Sequence, residues 1–380
     1  MNVAILGAGE VSQSVAKIIE DGYNPWLEQN FFGGTPINVV AYTLGGGINR
    51  FSIGDKVLLS LEQFAALYHK KVIQKIIFPR EVFFETQKWT LTELRKAGID
   101  MSAVVMAARL SENIFIPKFL EPYPSVRYLP HIEFRIAEQC NLNCKMCTEY
   151  CALVREPKFY PIEKFTRDFE RLHEFIDDFG AIRILGGEPL LNPEVGEFVK
   201  VCRRLYPVTP LHVVTNAILL PKMPEEFFDT VRECNAVIWI SFYPPMESKM
   251  PAIRKMLTEK QVNHFISNKI ETFLWRQTLK RNNNPERAFK YCGFSNCHNL
   301  CNGKIAACFL PFVTKYFNAY YGKNLPEDGA LDLYDTNLTT EKLKAHLLKP
   351  FERCNYCTEE IHRKWETVSH PSPISDWVHD

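Results

Sequence analysis

The sequence of 380 residues has no uninterrupted apolar stretch of about 18 residues, the length that a membrane-spanning helix requires. Its first residues also lack the charged region followed by an apolar region that marks a secretory signal, and instead they enter a strand pattern at once. Both absences argue against a membrane span and against export. We therefore expect a cytoplasmic protein.

Net charge is also almost absent. The 45 lysine and arginine residues against 44 aspartate and glutamate residues give a formal charge of +1, and charges of one sign form no long run. Binding to a nucleic-acid backbone or to an anionic membrane surface depends on a basic patch. The sequence thus predicts neither nucleic acid nor membrane as a partner.

Cysteine, in contrast, is plentiful. The chain contains 12 cysteines, and most of them fall in two groups, at 140–147 and at 292–357. Because the cytosol keeps thiols reduced, grouped cysteines in such a chain indicate metal ligands and not a disulfide framework.

The first group is the run Cys140-Asn141-Leu142-Asn143-Cys144-Lys145-Met146-Cys147, a C-x3-C-x2-C spacing. It offers three thiolates to a metal centre and no fourth. Closed structural sites use four protein ligands, whereas a site that must hold a reactant on the metal keeps one position open. The alternative is a zinc knuckle whose fourth ligand lies elsewhere, at Cys151 or at a histidine.

This spacing, together with Gly186-Gly187-Glu188-Pro189 about forty residues later, resembles the motifs of the radical S-adenosylmethionine superfamily. The resemblance implies a four-iron four-sulfur cluster on Cys140, Cys144 and Cys147, with S-adenosylmethionine bound to the fourth iron. It also implies cofactor-binding roles for Met146 against the adenine, for Gly186, Gly187, Glu188 and Pro189 at the methionine amino group, and for Asn216 and Ser241 at the ribose or carboxylate. Two departures stand out: Met146 replaces the usual aromatic residue, and Ala217 replaces the glycine that often follows the asparagine.

Strand-like and helix-like runs alternate along the first two thirds of the chain, which predicts an α/β fold with parallel sheets. With the resemblance, the predicted architecture is a partial (β/α)6 radical SAM barrel, preceded by a small Rossmann-like domain and followed by a cysteine-rich domain. The predicted boundaries are a Rossmann-like domain at 1–110, a proline-rich linker at 111–130, the barrel at 131–280, a twitch- or SPASM-like auxiliary cluster domain at 281–366 and a tail at 367–380. Barrel strands are predicted at 132–137, 181–185, 211–215, 237–243 and 264–267, and one apolar helix stripe at Ile162, Phe165, Phe169, Leu172, Ile176 and Phe179.

The N-terminal run Gly7-Ala8-Gly9 resembles a dinucleotide-binding fingerprint but lacks its third glycine. No acidic residue ends the expected second strand, where Ala41-Tyr42-Thr43 stands. Both losses weaken an NAD assignment, because the third glycine permits close helix packing and the acid binds the ribose. We expect a site for a nucleotide-bearing substrate handle, or a scaffold without a cofactor.

Side-chain alternation in the first barrel strand separates Ile132, Phe134 and Ile136 from Glu133 and Arg135. If the apolar face packs on the helices, Glu133 and Arg135 point into the barrel. The same argument gives further candidates for the lumen: Arg183, His212, Trp239, Tyr243 and His264. Such a lumen suits a small polar substrate, such as a sugar or an amino-acid derivative, better than a lipid.

The second cysteine group resembles the twitch or SPASM extension of radical enzymes, which carries an auxiliary iron-sulfur cluster. The family pattern implies Cys308, Cys354 and Cys357 as ligands. For the remaining ligand, Cys292 and Cys297 compete: the spacing before the glycine favours Cys292, and the phrase Cys297-x2-Leu300-x2-Gly303 favours Cys297. A zinc ribbon is the alternative.

The resemblance implies an enzyme that cleaves S-adenosylmethionine to a 5'-deoxyadenosyl radical and abstracts a hydrogen atom from its substrate. Dehydrogenation of a carbohydrate or nucleotide-sugar is our leading hypothesis, with a flavodoxin or ferredoxin as electron donor. The alternatives are a peptide maturase and, outside the enzymes, a non-catalytic iron-sulfur electron carrier.

Overall fold

The computed structural model describes most of the chain from residue 131 onwards and parts of the N-terminal segment. The described residues are 1–8, 12–13, 16–17, 20, 37–44, 52–78, 90, 93–94, 96–100, 103–106, 127–129, 131–207, 209–290, 292–295 and 297–379.

The N-terminal segment contains a six-stranded sheet in the order β3-β4-β2-β1-β5-β6. Its pairs are parallel except for the edge pair β3 and β4. One helix begins after β4, where Ser60 and Gln63 form a reciprocal capping box that satisfies free backbone N–H groups. The elements are β1 (Asn2–Leu6), β2 (Asn38–Leu44), β3 (Ser52–Ile53), β4 (Lys56–Ser60), α1 (Leu61–His69), β5 (Lys75–Phe78) and β6 (Val104–Met106).

Apolar runs in the N-terminal sequence predict strands at 37–42, 74–78 and 103–106, and the structure has all three within one or two residues. No such run predicts β3 or β4. The sheet is of the parallel α/β type, and its designation as Rossmann-like stays a prediction. The linker predicted at 111–130 and Gly9 of the fingerprint lie mostly or wholly outside the described residues.

The central region alternates strands and helices, as the sequence predicted. Strands β8 and β10 to β13 are parallel and adjacent in the order β13-β12-β11-β10-β8. The elements are β7 (Tyr128–Leu129), β8 (Ile132–Ala137), α2 (Ile162–His173), β9 (Asp178–Phe179), β10 (Ile182–Gly186), α3 (Val195–Leu205), β11 (Leu211–Thr215), α4 (Glu225–Glu233), β12 (Val237–Ile240), α5 (Met250–Glu259) and β13 (His264–Ile266).

Helix α2 shows how the sheet is covered. Its Phe165 and Phe169 meet Phe134 of β8 edge to face, with ring centroids 4.9 and 4.6 Å apart. The apolar face of β8 therefore packs on the helices, as predicted. The predicted helix stripe is too long, however: α2 ends at His173, and Ile176 and Phe179 lie beyond it, the latter in β9. Pairing of β9 with β7 takes this stretch into a strand.

The prediction of a six-stranded barrel differs from the structure at the strand that follows β13. Strand β14 (Thr272–Gln277) leaves the sheet and pairs antiparallel with a strand near the C-terminus. The reason is the short connection: only residues 267–271 separate β13 from β14. A parallel return to the sheet requires a crossover of about a dozen residues or more.

The C-terminal region continues the central sheet. Strand β15 lies beside β8 and parallel to it, and β16 and β17 follow antiparallel, which gives the order β13-β12-β11-β10-β8-β15-β16-β17. The boundary predicted between 280 and 281 therefore separates strands of one sheet. The remaining elements are α6 (Pro285–Lys290), β15 (His298–Cys301), β16 (Lys304–Ala306), α7 (Leu310–Tyr321), β17 (Ala330–Asp332), α8 (Thr340–Leu347) and β18 (Cys357–Lys364).

No helix within the described ranges combines the length and the hydrophobicity that crossing a membrane would need.

Candidate functional site

Three cysteines lie in the loop that follows β8, at the C-terminal edge of the parallel sheet. Cys144 is buried, and Cys140 and Cys147 are half-buried. Burial raises the pKa of Cys140 to about 12 and also raises that of Cys144. At Cys147 a hydrogen bond from the Cys151 thiol outweighs burial and lowers the pKa to about 7. Metal binding by these thiols would therefore release protons.

The glycine loop after β10 lies directly against the cysteine loop. A Cβ atom on Gly186 would lie 2.3 Å from the carbonyl oxygen of Ala137, and one on Gly187 would lie 1.9 Å from that of Gln139. The N–H of Gly187 donates to Ala137 O at 2.8 Å, and the N–H of Glu188 donates to Gln139 O at 2.9 Å. Only glycine permits such a close approach of two backbones. The two motifs identified in the sequence thus form one continuous structure.

Glu188 joins this structure to the end of β11. Its buried carboxylate accepts hydrogen bonds from Thr215 Oγ1 at 2.6 Å, from Asn216 N at 2.9 Å and from Leu190 N at 3.1 Å. Burial raises the pKa of Glu188 to about 7, although the three donors favour the charged form. The side chain therefore links the two loops. The role of Gly186, Gly187, Glu188 and Pro189 at the methionine amino group stays a prediction.

Replacement of Glu188 by glutamine is expected to lower the free energy of unfolding by about 1–3 kcal/mol at pH 5, where the folded protein holds this carboxyl protonated and no buried charge is removed by the substitution. A glutamine side chain has one acceptor oxygen, so its amide nitrogen would face a donor that loses its partner. Denaturant titration monitored by circular dichroism measures the change. Glu197→Gln, at an exposed helix position, is the matched control and should unfold like the wild type. Equal stability of E188Q and wild type would contradict the fastening role.

Asn216 also contacts the cysteine loop. Its Nδ2 donates to Asn141 Oδ1 at 2.7 Å and to Cys140 Sγ at 3.7 Å. The next residue, Ala217, has a φ of +65°, the left-handed conformation that glycine adopts most readily, which explains why the family often has glycine there. Ser241 lies beside Asn216, because its N–H donates to Thr215 O at 2.9 Å.

The C-terminal segment covers the cysteine loop, a contact for which the sequence carries no signal. Trp365 Nε1 donates to Cys144 Sγ at 3.2 Å, and Thr367 pairs with Cys144 in an antiparallel bridge. The segment predicted as a tail is therefore part of the site. Three further backbone hydrogen bonds hold it: Lys145 N to Glu366 O at 2.8 Å, Val368 N to Asn143 O at 2.9 Å and Met146 N to Asp376 O at 3.1 Å.

Polar residues gather on the face of the sheet opposite to the helices. Glu133 Oε1 lies 3.6 Å from Arg183 Nη1 and 3.3 Å from His131 Nε2, and Asn299 Nδ2 donates to Glu133 Oε2 at 3.4 Å. Burial opposes ionisation of Glu133, but the hydrogen bond from His131, the charge of Arg183 and the Asn299 amide keep its pKa below the usual value. The buried carboxylate is therefore charged at neutral pH.

Of the other candidates for the lumen, His212 and Trp239 join this group, whereas His264 does not. The guanidinium of Arg183 lies 4.9 Å from the ring centroid of Trp239, and His212 meets that ring edge to face at 5.9 Å. His264 is in register with Ile238, on the face covered by helices, while its neighbour Phe265 contacts Trp239. The prediction for His264 was wrong because the phase of alternation differs in this strand.

Arg135 and Tyr243 are both engaged within the protein. The Nε of Arg135 lies 2.5 Å from Glu149 Oε2, and burial raises the pKa of that glutamate to about 7. Tyr243 packs between Phe273 and Trp365, with ring centroids 5.9 Å away in each case. Burial, followed by the nearby cysteine thiols, raises the pKa of Tyr243. Tyr243 therefore faces the cysteine loop.

Four cysteines of the C-terminal region line one cavity. Its walls are otherwise mainly apolar, with Thr148, Arg276, Gln277 and Ser295 as the polar residues. Burial raises the pKa of Cys354 to about 12 and raises those of Cys308 and Cys357. The lining residues that carry thiols are Cys292, Cys308, Cys354 and Cys357.

Cys297, the competitor of Cys292, lies elsewhere. Its Sγ is within 4.8 Å of ligand atoms of His131 and Glu133, and within the described part of the chain these three form a group close enough for one metal ion. The reason is that β15 begins at His298 and pairs with β8, which carries Cys297 to the start of the barrel strands. Cys301, at the other end of β15, is likewise absent from the cavity lining.

Hydrogen-bond donors contact two of the thiols in the four-cysteine cavity. The N–H of Phe294 donates to Cys292 Sγ at 3.3 Å, and Gln277 Nε2 donates to Cys357 Sγ at 3.4 Å. Behind Gln277, the fully buried Arg353 donates to Gln277 Oε1 at 2.6 Å. Its Nε and Nη1 have no hydrogen-bond partner within the part of the chain that the structure describes. Donors and a buried cation stabilise thiolates and a negatively charged cluster.

The chain is similar to known proteins over part of its length. Residues 134–261 match the family model of the Radical SAM superfamily. GTP 3',8-cyclase of Sulfurovum sp. (strain NBC37-1) is 31% identical over 108 residues, which are 27% of this chain and 32% of that protein. GTP 3',8-cyclase of Lactiplantibacillus plantarum is 29% identical over 98 residues, 24% and 28% of the two chains. The structure of BtrN in complex with AdoMet and 2-DOIA has a TM-score of 0.36 and 16% identity, and the alignment covers 60% of this chain and 92% of that one.

The chain thus spans about a third of the length of the curated relatives it matches. The family match includes the cysteine loop and the glycine loop, and the family implies a four-iron four-sulfur cluster and S-adenosylmethionine. The residues fit this group: three thiols stand in one loop, and N–H donors of Asn216 and Trp365 point at two of their sulfur atoms. Hydrogen bonds to sulfur are a common support of such clusters.

Proposed function

We propose that residues 134–261 form a domain of the Radical SAM superfamily. On this premise, the chain is an enzyme that cleaves S-adenosylmethionine reductively and removes a hydrogen atom from a small polar substrate. Cys140, Cys144 and Cys147 would hold the cluster. When bound, the cluster and S-adenosylmethionine supply a 5'-deoxyadenosyl radical that can attack an unactivated carbon. The protein contributes orientation and the exclusion of water.

Different residues around the cysteine loop would position the two loops and contact the cofactor. Gly186 and Gly187 keep the second loop within contact of the cysteine loop, and Glu188 fixes both to Asn216. Met146 would cover the adenine, where its thioether can lie against a ring face. Ser241 and Asn216 would supply polar contacts to the ribose or carboxylate.

The polar residues on the inner face of the sheet support the proposed class of substrate. The ionised Glu133 and the guanidinium of Arg183 lie side by side on the inner face of the sheet, where they offer an acceptor and donors to hydroxyl groups. Burying such a pair against an apolar substrate would leave hydrogen bonds unmade, which is costly. We favour a carbohydrate or a nucleotide-sugar, with the N-terminal sheet as a binding site for the nucleotide-bearing part.

The four-cysteine cavity suggests the type of reaction. Converting an alcohol into a carbonyl group removes two protons and two electrons: one hydrogen atom leaves to the adenosyl radical, and one proton and one electron remain. A cluster held by Cys292, Cys308, Cys354 and Cys357 would accept that electron, since four protein ligands leave it no free position for substrate. Glu133 is a lumen carboxylate able to take the proton. A flavodoxin or ferredoxin would reduce the first cluster.

The test is anaerobic incubation of the reconstituted protein with dithionite and S-adenosylmethionine. We expect 5'-deoxyadenosine, detected by mass spectrometry, with more of it in the presence of a true substrate. Hexoses and nucleotide-sugars that carry deuterium on each carbinol carbon should transfer deuterium to 5'-deoxyadenosine and lose two hydrogens in total. Unlabelled sugars of the same kind are the control.

Other results point elsewhere. No 5'-deoxyadenosine under any condition would indicate a non-catalytic electron carrier. Deuterium transfer from a labelled peptide and from no sugar would indicate a peptide maturase.

A further inference from the structure

Trp365 is the residue that links the C-terminal segment to the cysteine loop most directly. It follows β18, whose pairing with β14 fixes its backbone, and its own N–H donates to Glu271 O at 2.9 Å. On the side of the ring, Tyr243 lies 5.9 Å away between centroids. The indole is therefore held from two directions.

The indole N–H of Trp365 points at a cluster ligand. Nε1 donates to Cys144 Sγ at 3.2 Å, across 221 positions of sequence. A reduced cluster carries one more negative charge than an oxidised one, so a donor to a ligand sulfur stabilises the reduced state more. We propose that Trp365 is a positioning residue that raises the reduction potential of the cluster on Cys140, Cys144 and Cys147. This inference rests on the proposed function only in that the loop must bind the cluster.

The test is a redox titration of the reconstituted protein, followed by the electron paramagnetic resonance signal of the reduced cluster. Trp365→Phe keeps an aromatic ring beside Tyr243 and removes the N–H. At the wild-type midpoint we expect the ratio of reduced to oxidised cluster to fall about tenfold, which for a one-electron couple corresponds to a shift of about 59 mV to lower potential. An unchanged midpoint at equal iron content would overturn the proposal.

The antiparallel pair of β14 and β18 contains a second tryptophan that offers a matched control. Trp275 lies on β14, opposite Ile361 of β18, and among the described residues its buried indole Nε1 has no hydrogen-bond partner. Trp275→Phe should titrate with the wild-type midpoint. An equal shift in both variants would mean that the strand pair β14–β18 as a whole, and not the hydrogen bond, sets the reduction potential. That result would also overturn the proposal.

A second measurement applies if Trp365→Phe fails to hold the cluster. Wild-type protein labelled with nitrogen-15 at the indole nitrogen should show a weak nitrogen-15 coupling to the reduced cluster in pulsed electron paramagnetic resonance. Absence of that coupling would refute the hydrogen bond. Failure of the wild type to bind iron at all would instead refute the proposed function.

Discussion

Replacement of Cys144 by alanine is expected to abolish the formation of 5'-deoxyadenosine and to remove about four irons per chain. Cys144 is the buried member of the three loop cysteines and accepts the indole hydrogen bond of Trp365. A cluster left with two of its three thiolates has no stable ligand set in this loop. Iron and sulfide analysis after anaerobic reconstitution, together with product detection by mass spectrometry, measures both effects.

Cys151 provides the control for this prediction. Its thiol hydrogen-bonds to Cys147, which makes it the fourth sulfur that a closed zinc site would use. If the loop keeps an open iron, Cys151→Ser should retain iron and product formation. If instead Cys151→Ser behaves like Cys144→Ala, and elemental analysis finds zinc, the site is a closed structural one and the catalytic proposal fails.

The second large effect concerns the four-cysteine cavity. Cys292→Ala is expected to lower the iron content from about eight to about four per chain. The cavity would retain Cys308, Cys354 and Cys357 only, while the loop at 140–147 remains intact. Abortive cleavage of S-adenosylmethionine should therefore survive, whereas oxidised product should not form. Iron analysis and product detection on the same sample separate the two outcomes.

Cys297→Ala is the matched variant, since both cysteines competed for one ligand position. It should keep about eight irons, because Cys297 lies beside His131 and Glu133 and outside the cavity. The opposite pattern, with iron lost in Cys297→Ala and kept in Cys292→Ala, would reverse the ligand assignment. About four irons in the wild type would remove the second cluster altogether.

The sequence predicted those features that depend on local patterns. The spacing of Cys140, Cys144 and Cys147 is dictated by the group that they bind, so it can be recognised without a structure. The period of two in a strand placed Glu133 and Arg183 on one face, where the structure brings them to 3.6 Å. The same rule failed for His264, because the phase of alternation does not carry over from one strand to the next.

Features that depend on distant pairing escaped prediction. The two spacing arguments for Cys292 and Cys297 oppose each other, whereas the pairing of β15 with β8 distinguishes the two residues, since it carries Cys297 away from the cavity. The pairing of β14 with β18 likewise joins residues 80 to 92 positions apart, from Gln277 with Cys357 to Thr272 with Lys364, and it places Trp365 against the cysteine loop. Such contacts follow from topology, which local periodicity does not encode.

The covering of the cysteine loop by the C-terminal segment has a consequence for the order of events during biosynthesis. A ribosome makes the loop some 221 residues before the tryptophan that contacts it, so the nascent loop emerges without that contact or the bridge at Thr367. Metal delivered to the growing chain would meet exposed, oxidisable thiols. Maturation is therefore expected to follow synthesis of the segment that carries Trp365 and Thr367, once that segment has folded against the loop.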